Sequence, residues 1–147
     1  MSEGLMNTTA TVRWATSADL DFLLTTGAVH LPVTMLTRKI TWQEVAIAEQ
    51  ADKRVGYLQL DYLWSIVPFI AAIWVREPYR KHGAGRALLA FIEDYARAQG
   101  HSLLYSSSQL DEPPPQAWHR HMGFEECGIL AGYNDGIGEV FFRKRLS

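Results

Sequence analysis

Residues 69–100 read FIAAIWVREPYRKHGAGRALLAFIEDYARAQG. The apolar run 69–75 predicts a buried strand, and it stops at Arg76-Glu77-Pro78. A basic turn follows, Arg80-Lys81-His82-Gly83-Ala84-Gly85-Arg86. Leu88, Phe91, Ile92, Tyr95 and Ala96 then recur at three- and four-residue steps, which predicts a helix, and Gly100 marks its end. Strand, glycine-containing turn and helix in this order aim several backbone N–H groups outward at the positive end of a helix dipole. That suits a phosphate or pyrophosphate. Gly83 and Gly85 allow close backbone approach and positive φ. A tight strand-to-helix connection without a ligand is the other reading of the same residues. Two other nucleotide fingerprints do not fit. A P-loop needs four residues between its glycines and then Lys-Ser/Thr. A dinucleotide turn needs a third glycine where the chain has Leu88.

Working outward, the 147 residues are enough for one domain with a sizeable core. Hydrophobic content of 48% and charged content of 20% are ordinary for a globular protein, so disorder is not expected. A net charge of −2 gives no case for nucleic acid or an anionic membrane as partner. The single cysteine, Cys127, precludes an internal disulfide and a multi-cysteine metal site, and fits a reducing compartment. The first residues lack the basic start and apolar core of a signal peptide, and no apolar run reaches a membrane span. The expectation is a cytoplasmic protein.

Residues 1–9 read as a flexible tail, followed by a single domain over 10–147. Strands are expected at 10–15, 44–50, 55–62, 69–75, 102–106, 124–132 and 139–145. Helices are expected at 18–29, capped by Thr16-Ser17, and at 33–39, with Pro32 in the first turn. The loop after the third strand contains Pro68. Ala51-Asp52-Lys53-Arg54 links a hairpin, and Asn134-Asp135-Gly136 is a turn signal. Asp111-Glu112 and three prolines open a short helix through Met122. A helix between the strands at 69–75 and 102–106 makes those two parallel.

Two motifs give this order a family. Arg80-x-x-Gly83-x-Gly85, with its lead-in Val75, Pro78 and Tyr79, resembles the Q/R-x-x-G-x-G/A motif of the GNAT superfamily of acyl-CoA N-acyltransferases. Trp118-His119-Arg120-His121-Met122-Gly123-Phe124 is similar to that family's F-Y-x-x-x-G-F box. The resemblance runs from Ala10 across essentially the whole chain. It implies an α/β three-layer sandwich: a mixed, mostly antiparallel sheet of about seven strands, a splayed parallel pair and about four helices.

It also implies acetyl-CoA as cosubstrate, without a metal, and a primary amine of a small molecule as acceptor. The backbone of Ile73 and Val75 would bind the pantetheine arm. The amides of His82, Gly83, Ala84, Gly85 and Arg86 would cradle the pyrophosphate. The side chains of Arg80, Lys81 and Arg86 would add charge-assisted contacts, or else be solvated surface charge.

The family commonly uses a tyrosine in the second motif to protonate the leaving thiolate, and here His119 stands at that position. Histidine can act as general acid or, when neutral, as base. It can also simply fill the tyrosine's space. The family's cofactor-contacting Asn is replaced by Asp111-Glu112, and the hydroxyls of Ser106-Ser107-Ser108 are candidate substitutes. Strand 69–75 carries no carboxylate, so Asp61 or Glu77 is the candidate base, with His30 a further one; His101 and His121 read as surface or packing residues.

Tyr57, Tyr62, Trp64 and Trp74 read as core or as an acceptor-pocket lining, and Cys127 as buried and inert. Acidic residues Asp61, Asp135 and Glu139 near the acceptor-side segments favour a cationic acceptor. Two alternatives carry the same motifs: a non-catalytic acyl-CoA-sensing module, and a protein N-acetyltransferase. Homodimerisation is common in the family and is an expectation of the resemblance alone.

Overall fold

The computed structural model describes residues 9–26 and 30–146. The expected tail and the end of the first helix therefore fall largely outside the described residues. Seven strands form one sheet: β1 (Thr11–Trp14), β2 (Val45–Gln50), β3 (Lys53–Leu63), β4 (Val67–Val75), β5 (Leu103–Gln109), β6 (Glu125–Leu130) and β7 (Glu139–Arg145). Their order is β1-β2-β3-β4-β5-β7-β6. Four α-helices are described: α1 (Leu20–Thr25), α2 (Val33–Thr41), α3 (Ala84–Ala98) and α4 (Pro113–His121). The expected parallel pair is present, with Phe69 opposite Tyr105 and Ile70 opposite Ser106. The other recorded pairings, β1–β2, β2–β3, β5–β7 and β6–β7, are antiparallel. The α/β mixed-sheet expectation holds.

Several boundaries differ, each for a local reason. Thr16 caps a 3-10 turn (Ser17–Asp19) in a reciprocal capping box with Asp19, so α1 starts only at Leu20. Pro32 is the N-cap of α2 rather than part of its first turn. The β2–β3 hairpin turns on Ala51 and Asp52, with φ of 53° and 62°, so its link is two residues rather than four. Trp64 and Ser65 make an equivalent turn (φ 53° and 66°) between β3 and β4. Strand β4 accordingly begins at Val67 and takes in Pro68, which was expected in a loop. Strand β5 runs on to Gln109, so Ser107 and Ser108 are strand residues.

The chain separates into two compact units. The first comprises the residues through Leu60 together with Ala72–Ile92. Its core joins Leu23 of α1, Leu36 and Ile40 of α2, and Val45, Ile47 and Tyr57 of β2 and β3. Burial pushes the Tyr57 phenol up to about 12, so it stays neutral. Below the helices lies a buried charge network. Asp19, fully buried, receives both Arg13 guanidinium nitrogens (2.8 and 2.9 Å), Arg54 Nε (2.6 Å) and the Thr16 amide (2.7 Å). Lys39, also buried, donates to Glu44 (2.9 Å) and to the Leu60 carbonyl (2.8 Å). Gly56 lies where β3 approaches β4 so closely that an added Cβ would stand 2.6 Å from the Trp74 carbonyl oxygen.

The second unit comprises Asp61–Ala71 and the chain from Glu93 onward. Its strands show period-two burial. Ile70, Leu104, Ser106, Ser108, Val140 and Phe142 are buried, while Phe69, Tyr105, Ser107, Gln109, Glu139 and Phe141 are half-buried. Lys144 Nζ lies 2.6 Å from Glu93 and ties β7 to this residue of α3.

Gly56→Ala should destabilise the protein by about 1–3 kcal/mol, because the group it meets is backbone and cannot swing aside; thermal or denaturant unfolding measures this. Burial pushes the Asp19 carboxyl up, but the hydrogen bonds from Arg13, Thr16 and Arg54 outweigh it and hold the carboxyl well below the usual range. A depressed carboxylate contributes stability above its unfolded pKa of about 3.9 and loses it as pH falls towards the folded value. Asp19→Asn should cost about 3–5 kcal/mol at neutral pH and flatten the loss of stability below about pH 4.

Candidate functional site

The candidate phosphate turn belongs to the first unit. After β4, Glu77–Tyr79 form a single 3-10 turn whose Tyr79 ring is buried. Arg80 Nε donates to the Val75 carbonyl at 2.7 Å. The side chain expected to contact phosphate thus also braces the end of β4. Lys81 and Gly83 have positive φ (66° and 95°), and α3 starts at Ala84. Ala87 N–H donates to the Gly83 carbonyl at 2.9 Å, so the amides of Ala84, Gly85 and Arg86 precede the first helical hydrogen bond. An added Cβ on Gly83 would meet nothing within 4 Å, so the turn is open on that side. Arg80, Lys81, Gly83 and Arg86 are exposed, His82 and Gly85 half-buried, and Ala84 buried. Ile73 and Val75 are half-buried in β4.

The second unit holds His119, which is 3% exposed on α4. Its ring stacks on Phe142 with centroids 4.5 Å apart and planes 2° from parallel, and Trp118 and Phe124 approach edge-on. Nδ1 lies 2.8 Å from the Pro115 carbonyl, and Nε2 lies 2.7 Å from Ser106 Oγ. A carbonyl only accepts, so Nδ1 carries the proton. In the neutral ring Nε2 is then an acceptor, and the Ser106 hydroxyl donates to it. Burial lowers the His119 pKa, the Pro115 hydrogen bond opposes this, and neighbouring Arg120 lowers it further; the net shift is downward. The imidazole is therefore chiefly neutral at pH 7, with its lone pair on Nε2. A buried ring whose free lone pair is fixed by a hydrogen bond at its other nitrogen can serve as a proton acceptor.

Ser108 Oγ is also buried and has no hydrogen-bond partner among the described residues. Such an orphan calls for an explanation, and a ligand group is one. Glu112, at the N-cap of α4, makes no side-chain capping bond, and the prolines fill the first turn instead. Asp61 is half-buried in β3, and Glu77 and His30 are exposed. His101 packs near the Tyr62 ring, with centroids 6.3 Å apart, and His121 is exposed.

Two expectations fail. Cys127 is exposed, because β6 is the edge strand and all six of its residues face solvent. Its thiol is nonetheless not activated, since burial and then Glu125 and Glu126 push its pKa up against the effect of Arg143. Trp64, read as core or pocket, is 83% exposed at its hairpin tip. The sequence singles out Ser106 only as one of three candidate cofactor-contacting hydroxyls; its bond to His119 depends on which face of β5 it occupies.

The family model of the acetyltransferase (GNAT) family matches residues 17–124. The chain belongs to this family. A type 1 aminoglycoside N(6')-acetyltransferase of Stenotrophomonas maltophilia is 33% identical over 106 residues, covering 65% of this chain and 69% of that one. An uncharacterised protein of Mycobacterium leprae is 33% identical over 94 residues, 62% of this chain. The chain spans only 25% of that relative's length. A GNAT-family acetyltransferase structure from Bacillus cereus superposes with a TM-score of 0.76 at 20% identity, covering 93% of this chain and 97% of that one. Among the described residues, no helix is long and apolar enough to cross a membrane.

The His119 geometry has a spectroscopic consequence. Histidine NMR should give His119 a pKa below the usual value of about 6.5, with its proton on Nδ1 above that pKa. Titration at or above that value, or a proton on Nε2 of the neutral ring, would contradict the arrangement.

Proposed function

We propose that this GNAT-family chain transfers the acetyl group of acetyl-CoA to a primary amine of a small-molecule acceptor by direct attack. The observation that carries this reading is the open turn before α3. It offers amides, a positive helix end, Arg86 and the outer nitrogens of Arg80 to a pyrophosphate. The Ser108 hydroxyl, buried and without a hydrogen-bond partner among the described residues, is available to a polar ligand group. The aminoglycoside acetyltransferase relative supports an amine acceptor.

His119 serves this reading as a proton carrier. The neutral amine attacks the thioester carbonyl, forming the C–N bond. Its surplus proton passes to His119 Nε2, with the Ser106 hydroxyl giving up its own proton to the ring as it takes one from the nitrogen. As the C–S bond breaks, the same route returns a proton to the departing sulfur. The ring starts and ends neutral, and no carboxylate base is required. Acting as general acid therefore follows acting as base, rather than requiring a protonated ring at the outset.

Thiol release from acetyl-CoA, assayed with a panel of amines beside calorimetric binding of acetyl-CoA, tests this. Binding with amine-dependent release is expected. Turnover should fall as pH drops through a pKa below about 6.5. His119→Phe should remove that dependence and lower the rate about 10²–10⁴-fold while sparing acetyl-CoA binding. Gly83→Val should cut binding itself. Binding without release from any amine would favour a sensing module or a protein acceptor, and absence of binding would overturn the cofactor assignment.

A further inference from the structure

One row of residues across the second unit's sheet organises the surroundings of His119. Ser106 of β5 and Glu126 of β6 both stand opposite Phe142 of β7, one on each side of it. Residues paired in this way share a face of the sheet. Consecutive residues of α4 reach the two ends of the row. His119 Nε2 lies 2.7 Å from Ser106 Oγ, and Arg120 donates to Glu126 at 3.2 Å. Phe142 lies between these contacts and meets both α4 residues. The imidazole stacks on its ring at a centroid distance of 4.5 Å, and the guanidinium carbon of Arg120 stands over the same ring at 5.7 Å.

The Phe142 ring therefore serves two groups, of which only Arg120 is permanently charged. A ring attracts a cation through its quadrupole. The guanidinium already draws on that attraction. A second cation formed at the imidazole would gain less from Phe142 and would be repelled by Arg120. Both effects oppose protonation of His119. The other charges around the ring are held differently. Lys144 Nζ stands 6.0 Å from the centroid of Phe124, whose ring meets His119 edge-on, but it is bound to Glu93 at 2.6 Å in a pair that is largely buried. Glu125 and Arg143 pair with each other on the opposite face of the sheet, and His121 is exposed. The Arg120–Glu126 pair is longer than Lys144–Glu93, and both of its side chains are about half exposed.

We propose that Arg120 is a positioning residue for His119: acting through the shared Phe142 ring, it keeps the imidazole in the neutral form that accepts at Nε2, and Glu126 sets how strongly it does so. This rests on the acetyl-transfer reading above, in which that lone pair takes the proton of the amine.

Two measurements on the full chain test this. Histidine NMR follows the His119 pKa without any chemistry. The acid limb of thiol release from acetyl-CoA, taken with the fastest amine of the panel, follows the proton transfer. Arg120→Met should raise the His119 pKa by about half a pH unit, the scale set by one half-exposed charge nearby. Glu126→Gln leaves Arg120 unopposed and should lower it by a smaller amount. Arg120→Lys keeps the charge and should remain close to the wild type. The acid limb should move with the NMR value, so that Arg120→Met loses up to about threefold in turnover on that limb. General loosening around the ring would move both Arg120→Met and Glu126→Gln towards the ordinary histidine value, whereas opposite shifts identify charge. An unchanged His119 pKa in Arg120→Met, or shifts of the same sign in Arg120→Met and Glu126→Gln, overturns the proposal. An acid limb that stays fixed while the NMR value moves overturns it as well. Opposite NMR shifts with no thiol release from any amine uphold the control of His119 by Arg120 and overturn the transfer reading.

Discussion

Strand β5 has to serve two faces at once, and the chemistry of the second unit depends on how it does so. A strand points successive side chains to opposite sides. Three consecutive serines therefore cannot share an environment. Ser106 and Ser108 turn inward with Leu104, where a hydroxyl without a partner is costly. Ser106 meets that cost by donating to His119, whereas Ser108 has no such partner among the described residues. Ser107 turns to the half-buried side and holds Glu139. A shift of one residue in register would exchange these roles and dismantle both arrangements. The antiparallel ladder between β5 and β7, seven residue pairs long, prevents that shift.

In the first unit the corresponding constraint is electrostatic. The carboxylate of Asp19 caps the turn before α1 and accepts from arginines on β1 and β3 at the same time. One buried charge thereby fixes a helix start to two strands. Elsewhere in the unit, the Arg80 side chain bonds back to the Val75 carbonyl, which secures the strand end from which the candidate phosphate turn departs. The turn then needs only two left-handed residues, Lys81 and Gly83, to bring the first amides of α3 to the surface. Rigid support of an open turn is what a backbone-based anion site requires, since amides cannot be reoriented by side-chain rotation.

His119 shows how burial changes the meaning of a substitution. A tyrosine at this position would be a proton donor at neutral pH. The buried imidazole carries its proton on Nδ1, held there by the Pro115 carbonyl. It can therefore accept through Nε2 before it donates. The three prolines that open α4 contribute here, because the third supplies the carbonyl that sets the tautomer.

Much of the fold is legible in the sequence. The apolar period of residues 88–96, the glycines of the turn and the alternation within 139–145 locate α3, the turn and β7, because helix and strand periodicities are local properties of the chain. Turn residues were less informative where the chain departs from common turn chemistry. Trp64-Ser65 adopts the left-handed conformations usually given to Asn-Gly, and this concealed the true start of β4. The exposure of Cys127 could not be read either, since it follows from β6 being last in the strand order. The sequence by itself determined the elements, the family motifs and the residue types available for chemistry. Only the tertiary structure decided which β5 serine meets His119, which ring nitrogen holds the proton, and that Arg120 shares the Phe142 ring with His119. Each of these depends on which strand lies beside which and in what register, and that is settled by packing between distant segments.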